Sequence, residues 1–368
     1  MSALGLGLGL GLSRVRGGES PDMILVYAIP ESGTNIELAI QANSTWFSAG
    51  QAVVINWGDG SAKETVSDTG GSTYIGHTYA SAGTYTIKIS GSMTMYGRTS
   101  DVDILGQTLL TRVDSFGKLG ITSFRYAFHN CSGLLSVPKT LPDSVTSMFG
   151  MFRACTGAAF NPDVSGWNVS KVTTMYQLFH TCNGAAFNPD VSGWNVSKVT
   201  DMFAMFYNCN GAAFNPVVSG WNVSKVTDMQ HMFYNCTGAA FNPDVSGWNV
   251  SKVTDMYRMF RGCSGGAFRG GRGGNGNGIA KWQLKTGDNP VVMTQFMLSS
   301  KTQEPAFLDD ILNAWAALHT LGLLPTNITV DFGNNKYTTD GAAAYTTLTT
   351  ITDSGGAGWT ITSGGLTS

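Results

Sequence analysis

A stretch of 27 residues recurs four times, almost letter for letter, and nothing else in the chain constrains its fold as strongly. The first copy starts at Cys155 and carries Phe160, Asn161, Pro162, Trp167, Met175 and Phe179. The next three start at Cys182, Cys209 and Cys236. Trp167, Trp194, Trp221 and Trp248 fall 27 apart, as do Cys155, Cys182, Cys209, Cys236 and Cys263. A unit this short cannot bury its own apolar face, whereas stacked copies can, so each copy is expected to form one coil of a solenoid. Coils paired through strands lie about 4.8 Å apart, and identical residues then form columns. Within a coil, Val172 to Met175 reads as a short strand. Met202, Met205, Phe206 and Cys209 have helical spacing. Asn161-Pro162 and Ser165-Gly166 are turn signals.

The array reaches past the perfect copies. A coil 24 long runs from Phe124 to Met148. After the last copy, Trp282 and the run from Met293 to Met297 restate the repeat's Trp and its Met-x-x-Met-Phe. Cys to Trp is 12 residues in the copies and 19 here, so the glycine-rich stretch 264–278 reads as a seven-residue loop insertion. Its few arginines lack basic surroundings, which argues against an RNA-binding segment. The segment Ala127 to Leu134 resembles the BspA-type leucine-rich repeat. The 27-residue copies resemble the related bacterial surface-protein repeat F-N-x-D-x-S-x-W-x-V-S-x-V-T-x-M-x-x-M-F, departing from it at Val217, where the other copies carry Asp163, Asp190 and Asp244.

Upstream, apolar and polar residues alternate. Ile36 to Ile40, Ala52 to Trp57 and Thr84 to Ile89 read as strands, and Gly58-Asp59-Gly60 as a tight turn requiring positive φ. Trp57-Gly-Asp-Gly60 followed by His77-Thr-Tyr-Ala-Ser-Ala-Gly-Thr-Tyr85 resembles the PKD domain. That resemblance implies an immunoglobulin-like β-sandwich used as a spacer in extracellular and virion proteins. Downstream, Phe307 to Leu318 and Thr339 to about Ile351 read as helices, the second capped by Thr338 or Thr339. Asn327 to Phe332 and Gly358 to Ser363 read as strands. The ending G-W-T-I-x-x-G-G, from Gly358 to Gly365, resembles a C-terminal module that follows such repeats in tailed-phage and some bacterial surface proteins.

The first residues alternate strictly: Leu4, Leu6, Leu8, Leu10 and Leu12 are separated by glycines. Extended, the leucines share one face. The segment reads either as an anchor strand seeking a partner surface or as an unstructured tail. It lacks the basic start and cleavage site of a signal peptide.

The expected fold is therefore multidomain. It comprises a Leu-Gly anchor segment (1–21), an all-β Ig-like sandwich (22–92), a leucine-rich-repeat-like solenoid with short strands and helical turns (93–303), and an α/β cap (304–368).

Chemistry is sparse. Only 12% of residues are charged and the net charge is -2, which leaves no footprint for nucleic acid or an anionic membrane. No run reaches the ~18–20 apolar residues of a membrane helix. The six cysteines are expected as buried free thiols, since a column points them in parallel rather than toward one metal. His77, His129, His180, His231 and His319 sit in no catalytic motif. Asp163, Asp190 and Asp244 repeat in identical surroundings, unlike a catalytic pair. Lys171, Lys198, Lys225 and Lys252 are expected to be offset by Asp201, Asp228 and Asp255. No cofactor, metal site or enzymatic activity is expected.

The copies differ mainly at the two residues after the repeat Met and the two before the next Cys. Core columns tolerate little change, so these positions are expected to be exposed. Phe203, Tyr207, His231, Tyr234, Tyr257 and Arg258 are the candidate binding patch, on a helical face, with ring faces free to stack on sugars. Replacing Tyr207, Tyr234 and Tyr257 by Ser is expected to leave the melting temperature nearly unchanged. With the resemblances, the expected role is a non-enzymatic structural and adhesive protein of a phage virion, on head or tail. Multiple copies would join other virion proteins through the N-terminal segment and touch host glycan or protein. The alternatives are a secreted or cell-surface bacterial adhesin and a tail-borne polysaccharide depolymerase.

Overall fold

The structure, a computed structural model, describes residues 20–269, 278–285, 291–298, 300, 303, 306–350 and 357–367. The anchor reading of Leu4 to Leu12 lies outside these residues, as does most of the glycine-rich insertion. The fold is β-rich, with two α-helices among the described residues and no closed barrel.

Seven strands build the N-terminal part: β1 (Met23–Ile29), β2 (Thr34–Gln41), β3 (Ala52–Asn56), β4 (Glu64–Ser67), β5 (Tyr74–Tyr79), β6 (Gly83–Gly91) and β7 (Leu110–Phe116). One sheet has the order β4-β3-β6-β1-β7, and β2 pairs with β5 in a second. Met23, Leu25, Tyr27 and Ile29 alternate along β1 and are buried, as the period of two dictates. Gly58 and Gly60 take φ of 83° and 85°. Between them Asp59 accepts from the Ser61 N–H at 3.0 Å and meets His77 Nε2 at 2.7 Å. The imidazole in turn lies flat on Trp57, centroids 4.7 Å apart.

Strand β7 pairs with β1 on one side and bridges to Ser136 through Arg112 on the other. Phe116 packs on Phe124 at 4.8 Å and on Trp167 at 5.8 Å. One apolar core thus runs from the sheets into the repeats.

The repeats stack. Met95, Ser123, Ser147, Thr174, Asp201, Asp228, Asp255 and Val292 form a ladder of single-residue parallel bridges. The expected short strands shrink to this one residue per coil. Trp167, Trp194, Trp221, Trp248 and Trp282 stack in sequence at 6.4–6.5 Å with planes within 2°. From Trp194 on, each indole N–H donates to the valine carbonyl a coil back, at 2.9–3.0 Å. Trp282 keeps that column although it stands 34 residues after Trp248. Phe152, Phe179, Phe206 and Phe233 stack at 5.7–5.8 Å. A Cβ on Gly184, Gly211, Gly238 or Gly265 would fall 2.1–2.5 Å from the glycine carbonyl oxygen one coil back, which is why that column has no side chain.

The expected helical turns are not α-helix. The second and sixth residues after each repeat Met take left-handed backbone, as in Gln177 (φ 53°), Thr181 (60°), Ala204 (50°), Asn208 (56°), His231 (57°) and Asn235 (53°). Backbone donors alternate in use. The Leu178 and His180 N–H groups close local turns at 3.1 Å each. Those of Gln177, Phe179 and Thr181 cross to Phe203, Met205 and Tyr207 carbonyls at 2.7–2.9 Å. An α-helix would keep every donor within the segment and leave the coils unjoined. The apolar spacing is the same in both conformations, and the coil-to-coil hydrogen bonds decide between them.

The C-terminal end packs α1 (Ala306–Thr320) against α2 (Thr339–Thr349), with β8 (Thr329–Asp331) parallel to β9 (Thr360–Thr362). Phe307, Ile311, Leu312 and Trp315 are buried from α1. Thr338 caps α2, accepting from the Asp340 N–H at 3.1 Å. A bridge from Met293 to Val330 links this layer to the repeats.

Candidate functional site

Because the Met and Phe side chains of each coil point inward, the residues next to them face outward, and the stack aligns them. The residue after each Met gives one column: Phe149, Tyr176, Phe203, Gln230 and Tyr257. The fifth gives another: Arg153, His180, Tyr207, Tyr234 and Arg261. The left-handed second residue lies between them: Gln177, Ala204, His231, Arg258 and then Gln295.

The rings in these columns lie on one another. Phe149 stacks on Tyr176 at 4.1 Å and Tyr176 on Phe203 at 4.6 Å. His180 stacks on Tyr207 at 4.4 Å and Tyr207 on Tyr234 at 4.6 Å. These spacings are well below those of the Trp and Phe columns, so the coils approach most closely on this face. Gln230 interrupts the first column, and His231 fills the space. Its ring centre is 5.5 Å from Phe203, 6.1 Å from Tyr207, 5.5 Å from Tyr234 and 5.3 Å from Tyr257. Arg258 lies over Tyr257 at 4.5 Å. The structure therefore places Phe203, Tyr207, His231, Tyr234, Tyr257 and Arg258 in one contiguous cluster.

Two expectations about this cluster are corrected. All six residues are half-buried rather than exposed, because each ring covers its neighbour in the next coil. Stacking also occupies both faces of Tyr207 and one face each of Phe203 and Tyr234, while His231 meets Phe203 and Tyr257 edge-on and Arg258 covers the Tyr257 ring, so few ring faces are left free to stack on a sugar.

Burial shapes the electrostatics. It pushes both His180 and His231 down to about 4, reinforced by Arg153 for the first and by Arg258 and Arg261 for the second. Both rings are neutral at pH 7. Burial raises the phenols of Tyr176 and Tyr207. In the adjoining bridge column, burial raises the carboxyls of Asp201, Asp228 and Asp255. Their oxygens accept from the N–H groups of Phe203, Gln230 and Tyr257 at 2.8–2.9 Å. Among the described residues they form no ion pair with Lys171, Lys198, Lys225 or Lys252. The expected charge compensation is thus replaced by backbone hydrogen bonding.

The remaining candidates are held in local structure. Asp163, Asp190 and Asp244 each accept from the backbone N–H of the serine two residues on, at 3.4, 3.0 and 2.9 Å. All six cysteines are free and buried. Cys155, Cys182, Cys209, Cys236 and Cys263 donate to a phenylalanine carbonyl of the preceding coil at 2.9–3.1 Å. Among the described residues no three His, Cys, Asp or Glu side chains are placed to hold a metal, and no helix is long and apolar enough to cross a membrane.

The sequence reading placed Arg261 among the differing positions before a Cys but left it out of the patch, and it missed Gln295 and the turn backbone that carries the face. The signal for the turns was present: Asn130, Asn208, Asn235 and Gly262 recur just before Cys, and these residue types accept left-handed φ.

A family profile described as "Mycoplasma protein of unknown function, DUF285" matches residues 122–237 and 209–285. The match covers the repeats and fits the BspA-type repeat resemblance of the 27-residue copies. No curated protein and no solved structure matches the chain.

Proposed function

We propose that this chain is a non-enzymatic adhesive protein displayed on a surface, with the BspA-type solenoid presenting the tyrosine face to its target. The observation that carries this reading is the partition of variation. Trp, Phe, Met, Val and Cys columns are held fixed from copy to copy, while the differing residues gather on one half-exposed face rich in Tyr, Arg and His. Tyr and Arg dominate contact energies at interfaces. The DUF285 match covers the coils that build this face. The aspartates a depolymerase would need are each tied to their own serine turn, which supports a binding role over hydrolysis.

The finer reading places the protein on a tailed-phage virion. A PKD-like sandwich acts as spacer, the Leu-Gly segment joins it to other virion proteins, and the face meets host glycan or protein. Support comes from the order of the three resemblances along the chain. The test is where the chain resides. Mass spectrometry of purified virions from its source should recover it, and antibody should label intact particles. Recovery at the cell surface instead keeps the adhesive reading and discards the virion. Recovery only from the cytosol overturns both.

A further inference from the structure

The two ends of the tyrosine face treat their arginines differently. At the N-terminal end, Arg153 pairs with Asp101 at 2.9 Å. Arg125 lies over Phe149 at 3.9 Å and donates to the Thr99 carbonyl at 3.2 Å. At the C-terminal end, Arg258 and Arg261 have no carboxylate partner among the described residues. Both converge instead on one neutral acceptor, the side-chain oxygen of Gln295. Arg258 Nε donates to it at 2.7 Å, and Arg261 donates to it as well. Arg261 also lies 5.9 Å from the Tyr234 ring centre. Two guanidinium groups brought together on a single amide oxygen repel each other, and a bound anion would relieve that repulsion.

The surroundings leave donors to spare. Each guanidinium carries five N–H groups in a fork that matches a carboxylate, and one amide oxygen engages only a fraction of them. His231 sits beside the pair with its Nδ1 buried and without a protein hydrogen-bond partner. Asp228 and Asp255, in the adjoining column, are engaged by the backbone N–H groups of Gln230 and Tyr257.

We infer that Arg258 and Arg261, with His231, Tyr234 and Tyr257, form a site for a carboxylate carried on an acidic polysaccharide. This rests on the adhesive reading of the face and names its ligand class. A peptide would need an open sheet edge or apolar pockets for its side chains. Here the backbone donors are committed to local turns and to the neighbouring coil, and the rings pack on one another edge-on or tilted around His231. What the face offers is a row of phenol edges, one per coil, beside a cationic end. That suits an extended, hydroxyl-rich polymer bearing acids.

The experiment measures binding of the full chain to three probes: polygalacturonate, its methyl ester, and poly-glutamate. Polygalacturonate should bind, the ester at least tenfold more weakly, and poly-glutamate at least tenfold more weakly. R258Q/R261Q should lose at least tenfold on polygalacturonate while its circular dichroism and unfolding midpoint stay close to wild type. K198Q/K225Q, which removes the same charge elsewhere, should bind as wild type. R258K/R261K, which keeps charge and loses the fork, should fall between. Saturation with polygalacturonate should also raise the His231 pKa followed by NMR. Absence of polygalacturonate binding, equal loss in K198Q/K225Q, or equal binding of poly-glutamate overturns the site. Ester binding as tight as the acid also overturns it but leaves the adhesive reading standing.

Discussion

The imidazole of His180 lies on the phenol ring of Tyr207, centroids 4.4 Å apart and planes within 1° of parallel. One coil separates the two residues, and Tyr234 continues the stack at 4.6 Å. Surface variation in this repeat is therefore not free variation. Whatever occupies the column must also pack on its neighbours above and below, and a planar side chain does so at each step from His180 to Tyr234. The face is therefore part of what holds the coils in register.

Tyr207 is sandwiched by two rings, so Tyr207→Ser removes two stacks. Aromatic pairs contribute about 0.5–1.5 kcal/mol each beyond area burial, so the expected loss is about 1–3 kcal/mol in denaturant unfolding, in place of the nearly unchanged melting temperature expected from the sequence alone. Tyr207→Phe keeps both stacks and should lie within about 0.5 kcal/mol of wild type. Equal stability of the serine variant and wild type would show that the rings contribute nothing to the stack.

Much of the architecture could be read from the chain because identical residues at fixed spacing leave few ways to bury Trp167, Phe179 and Met175 in every copy. The helices α1 and α2 were legible from apolar spacing and the Thr338 cap, within a few residues at their ends. Two things were not. The apolar positions of Met202, Met205 and Phe206 suit a helix and a chain of turns equally, and only hydrogen bonds between coils distinguish them. The pairing of Arg153 with Asp101, against none for Arg261 among the described residues, depends on a loop far away in sequence. No local pattern encodes it.

Cys182, Cys209 and Cys236 are fully buried and donate to carbonyls a coil back. Burial pushes Cys131 up to about 12 and raises the other five as well. The thiolate is the reactive form. Alkylation at pH 8 should leave the native mass unchanged and add six labels after denaturation, one per cysteine. A labelled native protein, or fewer than six labels on unfolding without reductant, would contradict the buried-thiol column.

His129, His180 and His231 all titrate near 4, with burial the largest cause. Unfolded, each would return to about 6.5. Between those values the unfolded chain binds more protons than the folded one, so stability falls as pH drops from about 6.5 to about 4. The raised carboxyls of Asp201, Asp228 and Asp255 act oppositely, favouring the folded state as they protonate. Unfolding midpoints across this window should drop toward acid in wild type. The drop should be shallower in H180Q/H231Q. An identical slope in the variant would remove the two histidines from the account.

Thr181 stands at φ 60°, a conformation that costs a β-branched residue about 1–2 kcal/mol. The equivalent positions in later coils hold Asn208, Asn235 and Gly262, all better suited. Asn235 Nδ2 also donates to Asn208 Oδ1 at 2.8 Å, a side-chain ladder along the column. Thr181→Asn should relieve the strain and extend that ladder by one rung toward Asn208. It gives up the 2.8 Å contact between Thr181 Oγ1 and His180 Nδ1, worth about 1 kcal/mol. The net expectation is a gain of about 1 kcal/mol in denaturant unfolding, with Thr181→Gly gaining less because it adds no rung. Thr181→Val keeps the branch at Cβ and loses the hydroxyl, so it should be destabilised. If Asn and Val variants unfold together, the left-handed backbone at this position is not what selects asparagine there.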